Sequence, residues 1–324
     1  MRALVRSACL LSLLIASSAS AVAMEWRFVG NAGNYPDAEV MNDETTGYGS
    51  VPYAYYIGTY EVTNAQYAEF LNAKAVSDPF ALYNTNMGSG YGGITRSGSS
   101  GNFTYSTIAG RGNMPVNFVS FYDALRFANW LNNGQGSGDT ETGAYTLLGG
   151  TSEPSNGTTV TRNAGATIFL PSEDEWYKAA YYDAARASYF YFDYPAGSDM
   201  QMTCTPPAAA ANRANCSNVV SDLTTRGSYM GSASPYGTFD QGGNVFEWNE
   251  AIIGSSLRGL RGGHFSSGPG GLAASYRSGT DPWFESSYVV GLRVAMLPEP
   301  GRDLLLMTGI IGVLGLAGWR RARA

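Results

Sequence analysis

Residues 236–263 read YGTFDQGGNVFEWNEAIIGSSLRGLRGG, and this stretch decides how the rest of the chain is interpreted. It places the carboxyl groups of Asp240, Glu247 and Glu250 close to a pair of adjacent glycines. Such a segment can bring carboxylate oxygens and unshielded backbone carbonyl groups to one point. We therefore take this stretch as the candidate centre and the remaining chain as the scaffold that holds it.

The first 23 residues have the three regions of a secretory signal peptide. Arg2 and Arg6 give a positive start, residues 9–16 form a short apolar core, and Ala21-Val22-Ala23 is an A-x-A cleavage signature. The apolar core is much shorter than the roughly 20 residues of a membrane-spanning helix. The sequence therefore predicts export and removal of residues 1–23.

The last 28 residues, 297–324, combine a Pro-Glu-Pro triplet, an apolar run over 304–319 and a basic tip. This order resembles the PEP-CTERM sorting signal. The resemblance implies transient anchoring in the inner membrane, removal of the tail by an exosortase, and a final location at the cell surface or in the extracellular matrix of a Gram-negative bacterium. The alternative is a plain tail anchor whose arginines stay in the cytoplasm.

The composition indicates an exported domain that is rich in loops. Only 14% of the residues are charged, whereas about 25% is usual, and the chain contains 41 Gly and 22 Tyr. The formal net charge is −6, and the terminal segments contain six of the basic residues but only two of the acidic ones, so the domain between them is more acidic still. This charge argues against a nucleic-acid partner, which requires a basic face.

Two cysteines, Cys204 and Cys216, lie between the terminal segments. In an oxidising compartment an even pair predicts a disulfide that closes a short loop. A zinc site is the weaker alternative, because the chain contains a single histidine and no CxxC motif.

Two helix starts carry capping-box spacing, Thr63 with Gln66 and Ser172 with Glu175. At a third start Ser120 is the predicted N-cap, and the charge of Asp123 favours the positive N-terminal end of the helix. Apolar and aromatic runs at 26–29 and 53–60 predict strands, 144–148 and 158–162 predict a hairpin around Asn156-Gly157, and 87–113 predicts a long surface loop. Capped helices among short strands indicate an α+β domain rather than alternating βαβ units.

Six motifs, taken in chain order, resemble the formylglycine-generating enzyme, or sulfatase-modifying factor, family. They are EVTNAQYAEF (61–70), PVNFVSFYDALRFANWL (115–131), FLPSEDEWYKAA (169–180), YGTFDQGGNVFEW (236–248), LRGG (260–263) and GLRVA (291–295). The resemblance implies one domain over residues 24–296. It also implies the family's irregular, loop-rich α+β fold, which is related to C-type lectins.

Enzymes of that family bind copper through two cysteines, five residues apart, just beyond the RGG turn, and oxidise a sulfatase cysteine with molecular oxygen. Aligned on the glycine pair, the two cysteine positions fall on Ser267 and Leu272. Neither side chain is the soft thiolate that Cu(I) requires. His264 and Phe246 also stand where the family has serine and tryptophan. The resemblance therefore predicts no copper, no catalytic residue at these positions and no oxidase activity.

A structural calcium ion is the cofactor that the resemblance implies. Its ligands would fall on Asp240, Gly243, Val245 and Glu247, and a second calcium ion would fall on Asn215 and Asp222, where the spacing departs from the family. The first set supplies two carboxylates and backbone carbonyls. The alternative is a tight turn in which Asp240 caps backbone N–H groups and Glu247 pairs with an arginine.

The predicted function is an exported binding or structural module of the cell surface or exopolysaccharide matrix. Its ligand would be a polysaccharide or a protein in a cleft roofed by residues 262–277. Aromatic side chains on the presumed cleft side could stack on that ligand, namely Tyr276, Trp283, Phe284 and Tyr288. His264 is expected to have a structural role, and Arg261, Arg277 and Arg293 to brace loops. The alternative is a divergent oxidoreductase or protein-modifying enzyme that uses Ser267, His264 or another metal.

Overall fold

The structure, a computed structural model, describes residues 21–186, 190–285 and 287–298. In this part of the chain long loops join three α-helices and twelve short strands. The helices are α1 (Asn64–Lys74), α2 (Phe121–Asn132) and α3 (Glu173–Tyr181). The strands are β1 (Trp26–Val29), β2 (Tyr55–Gly58), β3 (Ile94–Ser97), β4 (Thr104–Thr107), β5 (Ile168–Phe169), β6 (Thr203–Cys204), β7 (Arg213–Ala214), β8 (Phe246–Ile253), β9 (Leu257–Arg261), β10 (Ser278–Thr280), β11 (Val290–Leu292) and β12 (Ala295–Met296). The predicted mixed, loop-rich fold is confirmed.

Most of the signal segment, residues 1–20, and most of the sorting segment, residues 299–324, lie outside the described residues. The apolar run 304–319 is among them. Within the described ranges, no helix is both long enough and apolar enough to span a membrane.

All three helices begin at their predicted N-cap residues, and each start forms a capping box. Thr63, Ser120 and Ser172 each accept a hydrogen bond from the backbone N–H three residues on, and that residue's side chain binds back to the cap. These contacts satisfy N–H groups that have no partner within the helix. The helices then pack apolar and aromatic side chains, such as Phe70, Phe127 and Trp176, into the buried core.

Two four-stranded sheets frame the domain. The first has the order β1-β2-β12-β5, with all neighbours antiparallel. The second has the order β10-β9-β8-β11; β8 and β9 form an antiparallel hairpin, and β11 joins β8 in parallel. The stretch 236–263 therefore supplies the central hairpin of the second sheet.

Two local predictions, one of a loop and one of a hairpin, were wrong. Residues 87–113 contain the hairpin of β3 and β4, whose strand signal is hidden because they are built largely from Thr, Ser and Arg. The pair 144–148 and 158–162 forms no strand within the described residues. There the Asn156 side chain accepts from the Leu148 N–H (3.0 Å) and donates to the Thr146 carbonyl (2.8 Å), so it takes the place of a partner strand.

Cys204 and Cys216 form a disulfide, as predicted. The bond joins the ends of the β6–β7 region, where Cys204 pairs with Ala214 in a short parallel ladder. Cys216 is fully buried and packs with Met202 and Leu272. The bridge thus closes the loop that joins β6 to β7.

Candidate functional site

The RGG turn at the end of β9 directs the chain into the loop 262–277. Gly262 and Gly263 both have left-handed backbone conformations, with φ of 94° and 70°. A Cβ atom on Gly262 would lie 2.7 Å from the Gln241 carbonyl oxygen, and one on Gly263 would lie 2.7 Å from the Gly271 carbonyl oxygen. Only glycine meets both requirements. The turn therefore fixes where the next side chains, starting with His264, can lie.

Glu247 and Arg293 form a buried ion pair behind this turn. Both residues are 0% exposed. Arg293 donates from Nε to Oε2 (2.9 Å) and from Nη2 to Oε1 (2.8 Å), and the indole N–H of Trp176 donates to Oε2 (2.7 Å). Both oxygens of Glu247 therefore already have strong donors, as the arginine-paired alternative requires.

The other residues predicted to bind calcium each make contacts within the protein. Asp240 Oδ2 accepts the Gly227 N–H at 2.5 Å, which is the capping role of the alternative. Gly243 has φ 88° and lies against the Asn215 carbonyl, where a Cβ would be 2.3 Å away. The Val245 side chain is buried in an apolar cluster. Asp222 is turned to Arg111, at 2.8 and 3.0 Å.

Glu61 is a buried carboxyl group that the sequence interpretation did not include. It is 1% exposed, and its Oε1 accepts from Asn244 Nδ2 at 3.2 Å. Its Oε2 has no hydrogen-bond partner among the described residues. Burial, with Asp240 and Glu247 nearby, raises its pKa well above the ordinary value. A glutamate just before the Thr63 cap was the available signal, but nothing in the sequence shows that it is buried.

Glu61, Asp240 and Glu247 together place three acidic groups around the single guanidinium of Arg293. Burial is also the main cause that raises the pKa of Asp240 to about 6. A bound cation or a proton would relieve this excess of negative charge. Within the described ranges, however, no three Asp, Glu, His or Cys side chains are arranged to hold a metal ion. The negative charge of these residues therefore suits a calcium ion. The oxygens of Glu247, however, already accept hydrogen bonds from Arg293 and Trp176.

Ser267 and Leu272, which the family resemblance aligns with the copper-binding cysteines, differ in environment. Ser267 accepts the His264 backbone N–H on its hydroxyl oxygen at 3.1 Å. Leu272 is fully buried in an apolar cluster with Tyr194, Met202 and Cys216. The hydroxyl of Ser267 therefore stabilises a turn, and the side chain of Leu272 packs in the core. These residues do not fit a copper ion.

His264 has the structural contacts expected of a lone histidine. Its Nδ1 accepts from the Ser266 N–H (3.3 Å) and lies 2.9 Å from the Ser266 hydroxyl oxygen. The proton of the neutral ring is therefore on Nε2. Burial lowers the pKa of His264 to about 4, so the ring is uncharged at neutral pH.

Aromatic rings extend from His264 on both sides. His264 lies 5.0 Å from Phe246 and 6.2 Å from Phe265, between ring centroids. Phe246 stacks on Tyr276 at 6.3 Å. On the other side Tyr91 and Tyr288 stack on each other at 4.6 Å, and both contact Phe265. We call these six residues the aromatic row: Tyr91, Phe246, His264, Phe265, Tyr276 and Tyr288.

The row is buried at its centre and open at one end. Phe265 is 1% exposed, whereas Tyr91 and Tyr288 are 37% and 39% exposed. Of the predicted cleft residues, Tyr276 and Tyr288 belong to the row, and the structure places Trp283 and Phe284 in contact with each other instead. Sequence reasoning missed Tyr91, because it lies in a glycine-rich segment far from the others in the chain.

The three predicted bracing arginines do brace loops. Arg261 donates to Glu173 (2.8 Å) and to the carbonyls of Ala274 and Tyr276. Arg277 shares the same Glu173 carboxylate, and Arg293 reaches the carbonyls of Gly58 and Phe239. Arg261 and Arg277 therefore hold the loop 262–277 against α3.

Comparison with solved structures shows the same fold in other proteins. The structure of CarF is 22% identical, with a TM-score of 0.58, and the match covers 86% of this chain and 99% of CarF. Variable protein 1 of Treponema denticola is 19% identical, with a TM-score of 0.51, and the match covers 87% and 98% of the two chains. At these identities the likeness concerns the fold alone. No curated protein matches the chain in sequence.

Residues 32–297 match the family described as the sulfatase-modifying factor enzyme 1-like domain. The match includes both sheets except β1, all three helices and the loop 262–277. It also includes every residue of the aromatic row and of the Glu247–Arg293 pair. This chain belongs to the sulfatase-modifying factor enzyme 1-like domain family.

Proposed function

We propose that this chain is an exported binding module that uses the family fold without copper chemistry, and that its ligand is a polysaccharide of the cell surface or matrix. The observation that carries the proposal is the environment of Ser267 and Leu272, the two residues that align with the copper-binding cysteines of the family. Leu272, at one of the two cysteine positions, is packed into the core, and the rings of the aromatic row lie beside the loop that holds it.

The aromatic row supports a stacking ligand. Tyr91 and Tyr288 present large, rigid faces at low entropic cost, and aromatic side chains with one polar end are common where an apolar body meets water. Sugar rings have apolar faces and polar edges that match this surface. A protein ligand would use the same rings, and it is the alternative that the experiment below separates.

The alternative of a modifying enzyme has less support. It would depend on Ser266 and His264, the only hydroxyl–imidazole pair in the loop 262–277. Ser266 lies within hydrogen-bond distance of His264, but the pKa of the ring is lowered to about 4 by burial, so the imidazole is a weak base. Among the described residues no carboxylate hydrogen-bonds to this imidazole to orient it. The pair lacks the third group that an activated nucleophile normally requires.

Export, tail removal by an exosortase and display at the surface of a Gram-negative cell complete the proposal. They rest on the signal-like segment 1–23 and the sorting-like segment 297–324. The disulfide between Cys204 and Cys216 supports an oxidising destination. Mature protein that retains residues 304–319 would instead favour the tail-anchored alternative.

The binding proposal is tested with the purified full chain on a glycan array, with Tyr91→Ala and Tyr288→Ala as variants. Each is expected to weaken binding of a retained glycan by about tenfold, because each removes a stacking face. Tyr35→Ala is the matched control, since Tyr35 is 79% exposed and outside the row. Equal binding by all variants, or binding only to polypeptides, would contradict the polysaccharide proposal. Stoichiometric copper together with oxidation of a cysteine peptide would contradict the loss of copper chemistry.

Structural calcium remains part of the proposal, with Asp240 and the carbonyls of Gly243 and Val245 as ligands. The excess of buried carboxylates supports it. Added Ca²⁺ is expected to raise the melting temperature and EDTA to lower it, because a cation bound only to the folded state stabilises that state. The comparison variant is Asp240→Asn, in which the calcium effect should shrink. Melting curves that are identical in Ca²⁺ and EDTA would refute calcium at these residues.

A further inference from the structure

The first described residues, 21–23, are built into the folded domain, although the sequence predicts their removal. Val22 is 8% exposed and belongs to the largest buried apolar cluster, together with side chains of α1 and α2. Ala21 and Ala23, on either side of it, are exposed. An apolar side chain buried to this extent adds to the stability of a fold. The folded domain therefore extends to Val22, two residues before the start that a cut after Ala23 would give.

Both backbone polar groups of Val22 bind to one side chain. The Val22 N–H donates to Gln135 Oε1 (2.6 Å), and the Val22 carbonyl accepts from Gln135 Nε2 (3.0 Å). The next carbonyl, that of Ala23, accepts from Gln66 Nε2 at 2.9 Å. A side-chain amide carries one acceptor and two donors, so it can pair with both groups of one residue as a neighbouring strand would. Residues 22–23 thus have the hydrogen bonds of an ordered segment.

Gln135 is itself fixed just after the end of α2. Its backbone N–H donates to the Trp130 carbonyl at 2.8 Å. Its φ is 66°, in the left-handed region that few residues other than glycine adopt. Within the described ranges the Gln135 side chain hydrogen-bonds to Val22 alone. Loss of Val22 would therefore remove a buried valine from the core and leave this amide without its partner.

The sequence contains a second cleavage site that keeps Val22 in the domain. Signal peptide cleavage requires small residues at the first and third positions before the cut. Ala21 and Ala23 meet this requirement for a cut after residue 23, and Ala19 and Ala21 meet it for a cut after residue 21. The two sites overlap, so the sequence alone does not distinguish them. Of the two, only the earlier cut retains the buried valine.

We propose that signal peptidase cuts after Ala21 and that Val22 is the first residue of the mature chain. The inference rests on the proposed export. Water adds across the Ala21–Val22 peptide bond, so the released peptide keeps the Ala21 carboxylate and the mature chain begins with the Val22 ammonium group. Gln135 Oε1, the acceptor of the Val22 N–H, is already in place for this ammonium group.

The surroundings of Val22 also suit the new charge. A groove of about 290 Å³ beside α1 is lined by residues 21–23 together with Ala65, Gln66 and Glu69. Glu69 is exposed, so the groove is open to water and carries a carboxylate at its edge. Water solvates the ammonium group there, and the carboxylate attracts it. The cut therefore leaves no buried, unbalanced charge.

The test is the amino-terminal sequence of the full chain after expression in a Gram-negative host. The expected sequence begins Val22-Ala23-Met24. A processed chain that begins at Met24, or at any residue other than Val22, overturns the assignment while it supports export. A chain that retains residues 1–20 overturns export and this inference together. The two failures are thus distinguishable in one measurement.

Two substitutions separate the overlapping sites. Ala19→Gln places a large residue at the third position before the proposed cut, and it is expected to abolish the product that begins at Val22. Ala23→Gln places the same residue directly before the alternative cut. It is expected to leave the Val22 product unchanged, because the Ala23 side chain is exposed and follows the proposed cut. Loss of the product with Ala23→Gln, or no loss with Ala19→Gln, overturns the proposal.

Gln135→Ala tests whether Val22 stabilises the mature chain. It removes both hydrogen bonds to Val22, so the melting temperature of the exported protein is expected to fall by about 3 °C. Gln201→Ala is the matched control, because Gln201 is exposed and lies outside this contact. A mature chain that began at Met24 would have no Val22 contacts to lose. Equal melting temperatures for the two variants therefore overturn the proposal.

Discussion

Replacing Arg293 by methionine is expected to lower the free energy of unfolding by about 3–5 kcal/mol. The reason is that Glu247, 0% exposed, would keep its charge in the core without the two guanidinium hydrogen bonds that now satisfy it. The carbonyls of Gly58 and Phe239 would also lose their donor. Urea denaturation followed by circular dichroism measures the change.

A surface pair provides the matched control for this substitution. Arg226 bonds Glu25, which is more than half exposed, so Arg226→Met should cost no more than about 1 kcal/mol. The double variant Glu247→Leu with Arg293→Met should recover much of the loss, because an apolar pair leaves no buried charge behind. If Arg293→Met is no more costly than Arg226→Met, the buried pair does not have the role assigned to it.

The stability of the folded chain is expected to fall as pH rises from mildly acidic to neutral. Burial raises the pKa of Asp123 from 3.8 to about 7. Between these values the folded chain holds a proton that the unfolded chain has released, so the free energy of unfolding decreases with increasing pH. The loss from Asp123 is complete above its folded pKa and is on the order of 4 kcal/mol. Asp240 and Glu61, whose pKa values are also raised, act in the same direction.

Asp123→Asn isolates this contribution, because the amide keeps an acceptor for Ser120 but cannot ionise. The difference in unfolding free energy between wild type and variant should change with pH, and it should favour the variant more at neutral pH than at acidic pH. Asp139→Asn is the opposite control: hydrogen bonds from Thr142 and backbone N–H groups lower the pKa of Asp139, so its contribution to stability is lost toward acid. A wild-type–variant difference for Asp123 that is independent of pH would contradict its raised pKa.

Local signals were sufficient for the elements whose stabilising contacts are close in sequence. The boxes at Thr63, Ser120 and Ser172 depend on a residue three positions away, and each helix begins there. The disulfide was predicted from the even number of cysteines in the domain and from the oxidising compartment expected for it. The hairpin predicted for residues 144–148 and 158–162 does not form. There the side chain of Asn156 makes the hydrogen bonds that a partner strand would have made.

The sequence predicts only those parts of the candidate site whose residues all lie in one continuous segment. The RGG turn, with Ser267 and Leu272 beyond it, lies within residues 260–272. The partner of Glu247 is Arg293, 46 positions away, and the aromatic row needs Tyr91 next to Tyr288. Hydrophobic patterning does not determine which distant side chains meet.

The antiparallel pairing of β12 with β2, which places Ala295 opposite Ile57, has a consequence for how the chain reaches its fold. The sheet that begins near residue 26 cannot close until residues 295–296 are available, and the parallel strand β11 completes the other sheet at nearly the same point. Contacts between such distant segments make folding slow compared with folds built from local contacts. The nascent chain therefore emerges from the ribosome well before it can become compact, and a truncation before Val290 would deprive both sheets of a strand at once.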